Sequence, residues 1–301
     1  MKRFAICALV FVVLIGCQPV QTGNREISEE YRKGTQGLVM SFVQGNPPQQ
    51  LFKSSPFIVM VQLWNRGAED IEGGKIYLTG YDKKYVFGEH QKEMSFSIEG
   101  KSPFNPEGDM TELVEFKDPS IEAIPDDIDT FAQSIKVSAC YYYRTVASPE
   151  ICINPRQYSA DASESVCQVK DVSLSGGQGA PIAVTKVEQE LMDNKIFLKI
   201  YIQNSGGGTP FEVNKGITDC HKNLQITDID KINIEEVGFS NFQLTSGCKP
   251  NPIRLVNNQG FFICSAELDN LGDTAFVTPL EIRVGYNYRQ TLTKTVKIVN
   301  I

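Results

Sequence analysis

The residues of this chain that are best suited to chemistry are its cysteines. Metal-binding cysteines usually come in closely spaced pairs such as C-x-x-C, whereas the closest of the last six cysteines, Cys140 and Cys152, are 12 residues apart. The two histidines, His90 and His221, are also far apart in the sequence. This spacing argues against a zinc site and leaves disulfide bonds as the expected chemistry. The six cysteines are Cys140, Cys152, Cys167, Cys220, Cys248 and Cys264.

The amino-terminal segment has the features of an export signal. Lys2 and Arg3 supply a positive start, and residues 4–15 that follow are uncharged and apolar. This run is about 12 residues long, whereas a helix needs roughly 20 apolar residues to cross a bilayer. The length and the charges therefore predict a signal peptide over residues 1–16 rather than a permanent membrane span.

The signal ends in Leu14-Ile15-Gly16-Cys17, which resembles the lipobox of prokaryotic lipoproteins. The resemblance implies that a diacylglyceryl group is added to Cys17 and that the chain is cleaved just before it. Two or three acyl chains, at about 0.8 kcal/mol per buried methylene, would anchor the protein permanently to a membrane. We therefore expect the protein on the extracytoplasmic face of a membrane. Gln18 stands where inner-membrane lipoproteins carry aspartate, which favours the cell surface or an outer membrane.

Two alternatives to lipidation stay open at this point, an uncleaved signal anchor and ordinary cleavage nearby.

The net charge of the mature chain indicates which partners it can have, whether the signal is cleaved by lipoprotein processing or by ordinary cleavage. Without residues 1–16, which contain Lys2 and Arg3 but no acid, 27 Lys and Arg face 36 Asp and Glu, a net charge of about −9. Such a balance argues against nucleic acid or an anionic lipid surface as a partner. The 285 residues that remain are enough for about two domains, and nothing in them indicates a cofactor.

Short alternating segments predict strands from residue 38 onward. Residues 57–64, 75–81 and 93–99 carry apolar residues at alternate positions and are bounded by Gly, Pro or Asn. Alternation with a period of two, between turn residues, is the signature of half-buried strands. Because no long segment has a helical period, the sequence predicts an all-β protein.

Two sequence landmarks occur twice in the chain. Residues 58–67 align with residues 197–206, and both copies end in Asn-x-Gly. Residues 135–144 align with residues 280–289, with tyrosines at matched positions. The asparagine and the first tyrosine are 76 residues apart in the first copy and 82 in the second. Matched landmarks at matched spacing predict two copies of one domain.

This repeat unit resembles the CARDB-type and related immunoglobulin-like domains of prokaryotic surface proteins. In those domains an early strand runs into an Asn-x-Gly turn and a final hairpin closes the domain. The resemblance covers residues 39–156 and 180–301, and it implies two immunoglobulin-like β-sandwiches in tandem that serve in adhesion, spacing or assembly. The expected organisation is a signal peptide (1–16), a tether (17–37), a first sandwich (38–157), a linker (158–179) and a second sandwich (180–301).

Strand alternation suggests how the cysteines pair, although six cysteines allow 15 pairings. Tyr141 and Tyr143 are predicted to face the core, so Cys140 should point to the outer face. A hairpin turn predicted near residues 147–149 would then bring Cys152 beside it. A second hairpin, predicted around residues 257–260, would bring two more cysteines together. The predicted disulfides are Cys140–Cys152 and Cys248–Cys264, with Cys167–Cys220 as the remaining pair.

The other motifs point away from catalysis and metal binding. Gly176–Gly179 lacks the Gly-Lys-Ser/Thr of a phosphate-binding loop and is interpreted as a flexible entry to the second domain. The acidic runs Asp126–Asp129 and Asp228–Asp230 lack the spacing of a calcium loop, so we expect them in solvated turns. Nucleophilic catalysis needs a base beside a Ser or Cys, and neither histidine lies in such a motif. A glycosidase needs only two carboxylates, but nothing marks a pair, and the chain is predicted not to be an enzyme.

Trp64 and Tyr142 are the candidate ligand contacts. Tyr142 is out of phase with the tyrosines beside it and so should lie on an outer face, where it would stack on a sugar or contact a protein. Tyrosine is also simply a good strand former. Trp64 ends a predicted strand, again out of phase with the core positions. The sequence therefore predicts a non-catalytic, lipid-anchored envelope protein that binds another envelope protein. A glycan-binding or glycan-processing lipoprotein and a passive spacer are the alternatives.

Overall fold

The structure, a computed structural model, confirms the all-β prediction. Apart from short 3-10 turns, the regular structure consists of β-strands, and no helix within the described ranges is long and apolar enough to span a membrane. The signal peptide, Cys17 and His90 lie outside these ranges. The described residues are 29–88, 92–110, 113–121, 124–158, 165–192, 195–218, 220–222, 224–267 and 272–300.

Eight of the described strands belong to the first half of the chain and eleven to the second. Those of the first half are β1 (Leu38–Phe42), β2 (Gln50–Phe52), β3 (Phe57–Asn65), β4 (Ile71–Thr79), β5 (Glu93–Ile98), β6 (Val114–Asp118), β7 (Thr130–Ala147) and β8 (Glu150–Ile153). Those of the second half are β9 (Val172–Ser173), β10 (Ile182–Met192), β11 (Lys195–Asn204), β12 (Thr209–Phe211), β13 (Lys231–Phe239), β14 (Phe242–Gln243), β15 (Cys248–Lys249), β16 (Ile253–Arg254), β17 (Gln259–Glu267), β18 (Phe276–Pro279) and β19 (Glu281–Val299).

Strand β3 shows how alternation in the sequence becomes a buried face. Val59, Val61 and Leu63 are fully buried, and the residues between them are half-buried. Burying each such side chain stabilises the fold by about 1.5–3 kcal/mol. Strand β11 repeats the pattern in the second half. Both strands end at the asparagine of the repeated Asn-x-Gly turn, Asn65 and Asn204.

Each half contributes a small antiparallel sheet and part of one large sheet. The small sheets have the strand orders β1-β3-β6 and β15-β17-β11-β10-β9. The large sheet has the order β14-β13-β19-β7-β4-β5 and therefore contains strands of both halves. The face that carries Tyr141 and Tyr286 packs on both small sheets, because their hydroxyls lie 3.3 Å from the Leu38 nitrogen in β1 and 3.4 Å from the Ile182 nitrogen in β10. Each half is thus a two-layer β-sandwich.

The two halves are joined by a strand ladder. All 18 residues of β7 pair antiparallel with β19, from Thr130 opposite Val299 to Ala147 opposite Ile282. The expectation that a final hairpin closes each half is therefore wrong, since both elements are single long strands. A second connection is made by β8, which pairs with β18. Part of the predicted linker is itself ordered, because β9 pairs with β10.

An approximate two-fold axis crosses the β7–β19 ladder at one of its residue pairs. Tyr142 lies opposite Asn287, and these two residues occupy the same position in the two copies of the sequence repeat. The neighbouring opposed pairs are Tyr141–Tyr288 and Tyr143–Tyr286. The two copies therefore pair with each other through the same surface, as two identical subunits do in a symmetric dimer.

Two of the three predicted disulfides are wrong. The structure pairs Cys140 with Cys220 and Cys152 with Cys167, and only the predicted Cys248–Cys264 bond is present. Cys140 does lie on the face opposite the core tyrosines. Cys152 is not beside it, because β8 pairs with β18 and not with β7. Cys248 lies directly opposite Cys264 in the β15–β17 ladder, which explains the pair that was predicted correctly.

The partner of Cys140 comes from an insertion in the second half. Residues 205–230 connect β11 to β13, whereas residues 66–70 make the equivalent connection between β3 and β4. The long connection covers the outer face of the large sheet and forms a small core there, in which Phe211 and Cys220 pack with Tyr77 and Cys140. The sequence pattern does not indicate that these residues cover the outer face of the large sheet, because nothing in it specifies where an insertion lies in the fold.

Candidate binding site at the junction of the two halves

Four buried tyrosines lie at the two-fold axis on the inner face of the large sheet. None is more than 1% exposed, and adjacent ring centroids are 5.7–6.5 Å apart. They come from alternate positions of β7 and β19, so their side chains share one face of the sheet. They are Tyr141, Tyr143, Tyr286 and Tyr288, and we refer to them as the tyrosine core.

The tyrosine core is what brings the two landmarks of the sequence repeat together. The Tyr143 hydroxyl lies 3.2 Å from Asn65 Oδ1, and the Tyr288 hydroxyl lies 3.0 Å from Asn204 Oδ1. Each asparagine also donates from Nδ2 to a carbonyl four residues on, of Glu69 at 2.8 Å and of Gly208 at 3.0 Å. The repeated residues are therefore structural, since each pair fixes the turn that leaves the central strand of its small sheet.

Burial keeps the hydroxyls of the tyrosine core protonated. Loss of solvation is the largest cause in every case, and it raises the pKa of Tyr288 to about 12. Burial also raises the pKa values of Tyr141, Tyr143 and Tyr286. All four hydroxyls can therefore donate hydrogen bonds over the whole physiological range of pH.

Tyr142 and Arg144 lie on the opposite, outer face, where they form a charged network. The Tyr142 hydroxyl donates to Glu235 Oε1. Arg144 Nε donates to Glu235 Oε2 at 2.7 Å, and Arg144 Nη1 donates to Glu69 Oε1 at 2.8 Å. Glu235 comes from the second half, so the network joins the two halves across the two-fold axis.

A bulge in β13 places Glu235 where it can join this network. The β13–β19 register shifts between Ile234 and Glu236, and such a bulge re-aims the residue inside it. Glu235 then lies over Gly285, where an added Cβ would meet Glu235 Oε1 at 2.2 Å and the Tyr142 hydroxyl at 2.4 Å. Only glycine leaves room there for the contact between Tyr142 and Glu235.

Burial and pairing shift the pKa values of the network. The hydrogen bond to Glu235 is the largest cause of the raised pKa of Arg144. Burial is the largest cause of the raised pKa of Tyr142. Burial also raises the pKa of Glu69, although Arg144 opposes it. The guanidinium is therefore held between two carboxylates in a partly desolvated position.

A polar cleft of about 470 Å³ opens beside this network. It lies between the β3–β4 turn, the start of β4 and the outer face of β7. Three acidic side chains, two basic side chains and two tyrosines line it. These charged and aromatic lining residues are Tyr31, Glu69, Asp70, Glu72, Lys101, Tyr142 and Arg144.

A rigid loop forms one rim of the cleft and presents a fully exposed phenylalanine. Lys101 N donates to the Gly67 carbonyl at 2.6 Å, which pins the loop to the β3–β4 turn. Ser102 and Asn105 then exchange backbone hydrogen bonds of 2.9 and 3.2 Å, which closes a tight turn with proline as its second residue. Phe104 lies at the tip of this turn and is 96% exposed. Most proteins bury such a side chain.

No protein-family model matches the chain, and no curated protein sequence matches it either. The geometry must therefore carry the functional argument.

Of the two predicted ligand contacts, Tyr142 lines the cleft and Trp64 supports its rim. The Trp64 indole N–H donates to the Glu107 carbonyl at 3.0 Å, and the Arg66 guanidinium lies over its ring, 4.4 Å from the centroid. Trp64 therefore holds the loop that carries Phe104. Phe104 itself was missed by the sequence analysis, although a Ser-Pro-Phe-Asn turn between strands would have been the signal to look for.

The remaining sequence motifs lie elsewhere in the fold. Asp126 pairs with Lys53 at 2.6 Å, and the backbone of Gly176 and Gly179 hydrogen-bonds to Gly34. His221 stacks on Tyr77, with ring centroids 4.3 Å apart. Among the residues that the structure describes, no group of three or more His, Cys, Asp or Glu side chains is arranged to hold a metal ion.

Proposed function

We propose that this chain is a lipid-anchored, non-catalytic binding protein of the cell envelope, and that the cleft and the Phe104 turn bind another envelope protein. The lipid on Cys17 would hold it on the extracytoplasmic face of the membrane. The observation that carries the proposal is the exposure of Phe104 on a turn that hydrogen bonds hold rigid.

A rigid, exposed aromatic residue is what an interface anchor requires. Burying a phenylalanine side chain contributes about 1.5–3 kcal/mol, and a few such residues carry most of the energy of an interface. Because the turn is pinned before binding, little conformational entropy is lost when a partner covers it. Phe104 is therefore suited to fill an apolar pocket on a partner.

The charge around the Phe104 turn indicates the kind of surface it meets. Exposed carboxylates surround the turn and the cleft. Of the two basic side chains that line the cleft, Arg144 is already paired with Glu69 and Glu235, and Lys101 is half-buried. A basic protein surface would complement these charges and an anionic lipid surface would be repelled. The exposed carboxylates belong to Asp70, Glu72, Glu99, Glu107 and Asp109.

The length of the tether places a limit on where the partner lies. Glu29 is the twelfth residue after Cys17, and a fully extended chain of that length spans about 40 Å at most. Tyr31, two residues after Glu29, lines the cleft. Lipidation of Cys17 would therefore keep the cleft within reach of proteins embedded in or lying on the same membrane.

Glycan binding is the second candidate, and the cleft itself favours it. Tyr31 and Tyr142 line it together with Glu69, Asp70 and Glu72, so aromatic faces and hydrogen-bonding groups are close to each other. This function does not explain the exposed Phe104, which is why we place it second.

Site-specific photo-crosslinking in intact cells tests the proposal. A photoreactive phenylalanine analogue at position 104 should capture one dominant protein. The same analogue at position 52 should not, because Phe52 is 42% exposed but pairs with Val299, 12 residues or about 40 Å along β19 from Asn287. If no protein is captured, or if the same proteins are captured at both positions, the result contradicts protein binding. Binding to a glycan array is then the next measurement.

The captured protein then provides a quantitative test. Phe104→Ala should weaken its binding about 30-fold or more, as truncation of an interface anchor does. Phe52→Ala is the matched control and should leave the affinity unchanged. Equal affinities for Phe104→Ala and the unchanged protein would show that the turn is not part of the interface.

A further inference from the structure

The three disulfides differ in how far solvent can reach them. In one of them, Cys152 is 8% exposed and its partner Cys167 is half-buried. The cysteines of the other two bonds are at most 5% exposed, and they are Cys140, Cys220, Cys248 and Cys264. Exchange between a thiol and a disulfide requires access of the attacking thiolate to one of the two sulfurs. The Cys152–Cys167 bond is therefore the one that a reductant can reach in the folded protein.

A pocket of about 380 Å³ provides this access, and both Cys152 and Cys167 line it. One wall is the β8–β18 ladder, in which Cys152 lies opposite Val277. Glu150 and Lys170 also line the pocket and contribute one charge of each sign. The lining therefore has no net charge that would repel an incoming thiolate.

Residues 165–171, which we call the covering segment, form another side of the pocket and depend on the disulfide for their position. None of them is buried. Polar contacts hold the two ends of the covering segment, and these contacts are Asn154 Nδ2 to Ser165 Oγ at 3.2 Å, Gln189 Nε2 to the Lys170 carbonyl at 2.8 Å and Lys186 Nζ to Asp171 Oδ2 at 2.8 Å. Because a segment with few buried apolar contacts opens at little cost, the bond to Cys152 is its main attachment.

We propose that the Cys152–Cys167 bond is a thiol-exchange site through which a small dithiol releases the covering segment. A thiolate of the dithiol attacks Cys167 Sγ, the more exposed sulfur, and a mixed disulfide forms as Cys152 leaves as a thiolate. The second thiol of the reductant then attacks the mixed disulfide and frees Cys167. Two electrons and two protons pass to the protein, and the dithiol is oxidised to its own disulfide.

Reduction would change one connection between the halves without separating them. The covering segment lies between β8 of the first half and β9 of the second. The β7–β19 and β8–β18 ladders do not include it. Its release therefore opens the pocket and bares the β8–β18 wall, while the ladders that join the halves stay intact.

Selective reduction of the folded chain tests the exchange site. The protein is treated with dithiothreitol without denaturant, labelled with N-ethylmaleimide at intervals and mapped by mass spectrometry. Cys152 and Cys167 should be labelled at least tenfold faster than the cysteines of the other two disulfides. Equal rates for all three bonds, or faster labelling of another pair, would overturn the proposal.

A monothiol tests the point of attack. With an excess of glutathione, the mixed disulfide should form at Cys167 at least fivefold more than at Cys152, because Cys167 is the more exposed of the two. A mixed disulfide mainly at Cys152 would overturn the assigned direction of the exchange.

Limited proteolysis tests the release of the covering segment. Trypsin should cleave after Lys170 at least fivefold faster once the bond is reduced, whereas cleavage after Lys83, an exposed residue between β4 and β5, should keep its rate. The double variant Cys152→Ser with Cys167→Ser should show the faster cleavage with or without dithiothreitol. Unchanged cleavage after Lys170 in both the reduced protein and the double variant would show that other contacts hold the covering segment, and it would overturn the proposal.

Discussion

The two halves of this protein share a framework and differ in what covers it. Both use a central strand that ends in Asn-x-Gly and a long strand whose tyrosine holds that asparagine. The connection after the asparagine is residues 66–70 in the first half and residues 205–230 in the second. The long connection closes the outer face in the second half, and the short one leaves a cleft in the first. The two halves therefore share their packing, and the proposed binding surface lies where they differ.

The largest expected effect concerns the disulfide that holds the long connection in place. Cys140 and Cys220 are 80 residues apart and Cys152 and Cys167 only 15. By the entropy of loop closure, we expect Cys140→Ala with Cys220→Ala to lower the free energy of unfolding by about 4.5 kcal/mol, and Cys152→Ala with Cys167→Ala by about 3 kcal/mol. Urea unfolding of both double variants measures the difference, and a reversed order would show that the long connection is held mainly by other contacts.

Two phenylalanines allow the outer face that the long connection covers to be compared with the outer face that stays open at the cleft. Phe211, a residue of the long connection, is fully buried, and Phe104 is 96% exposed. Phe211→Ala should therefore lower the free energy of unfolding by about 3–5 kcal/mol, whereas Phe104→Ala should change it by less than about 0.5 kcal/mol. Chemical denaturation provides both values. A large loss for Phe104→Ala would mean that its turn is structural and would weaken the case for a binding surface.

The tyrosine core should make the protein sensitive to alkaline pH. Burial raises the folded-state pKa of Tyr288 to about 12, above the ordinary tyrosine value of 10.0. The contribution of Tyr288 to stability is therefore complete below pH 10 and is lost as the pH rises to about 12, because the unfolded chain ionises first. That loss is on the order of 2–3 kcal/mol. Urea unfolding between pH 9 and pH 12 measures it, and Tyr288→Phe should make the dependence less steep.

The smallest expected effect compares the two tyrosines that hold the asparagine turns. Tyr288 makes hydrogen bonds of 3.0 and 2.9 Å, whereas those of Tyr143 are 3.2 and 3.3 Å. Removing either hydroxyl should cost about 1–2 kcal/mol, with Tyr288→Phe at the upper end and Tyr143→Phe at the lower. Thermal and urea unfolding of the two variants test this order. An equal or reversed cost would show that the turns are held by contacts other than the hydroxyls.

Much of the fold could be predicted because local sequence patterns indicate which side chains are buried. Alternation in β3 indicated which side chains face the core, and the matched tyrosines indicated that β7 and β19 are equivalent strands. The pair Cys248–Cys264 was predictable since both cysteines belong to neighbouring segments of one small sheet. Tyr142 was identified as an outer-face residue because its position in an alternating strand determines its face.

The tertiary structure alone decided which strands are neighbours. Alternation specifies the buried face of a strand and carries no information about which strand pairs with it, so the β7–β19 ladder and the partner of Cys140 could not be read from the pattern. The cleft follows from the tertiary structure as well, because it exists only where the first half lacks the long connection that the second half places over the outer face. The Ser-Pro-Phe-Asn turn marks Phe104 as a loop residue, but a phenylalanine in a loop sequence does not show whether another element covers it, so its exposure was decided by the tertiary structure.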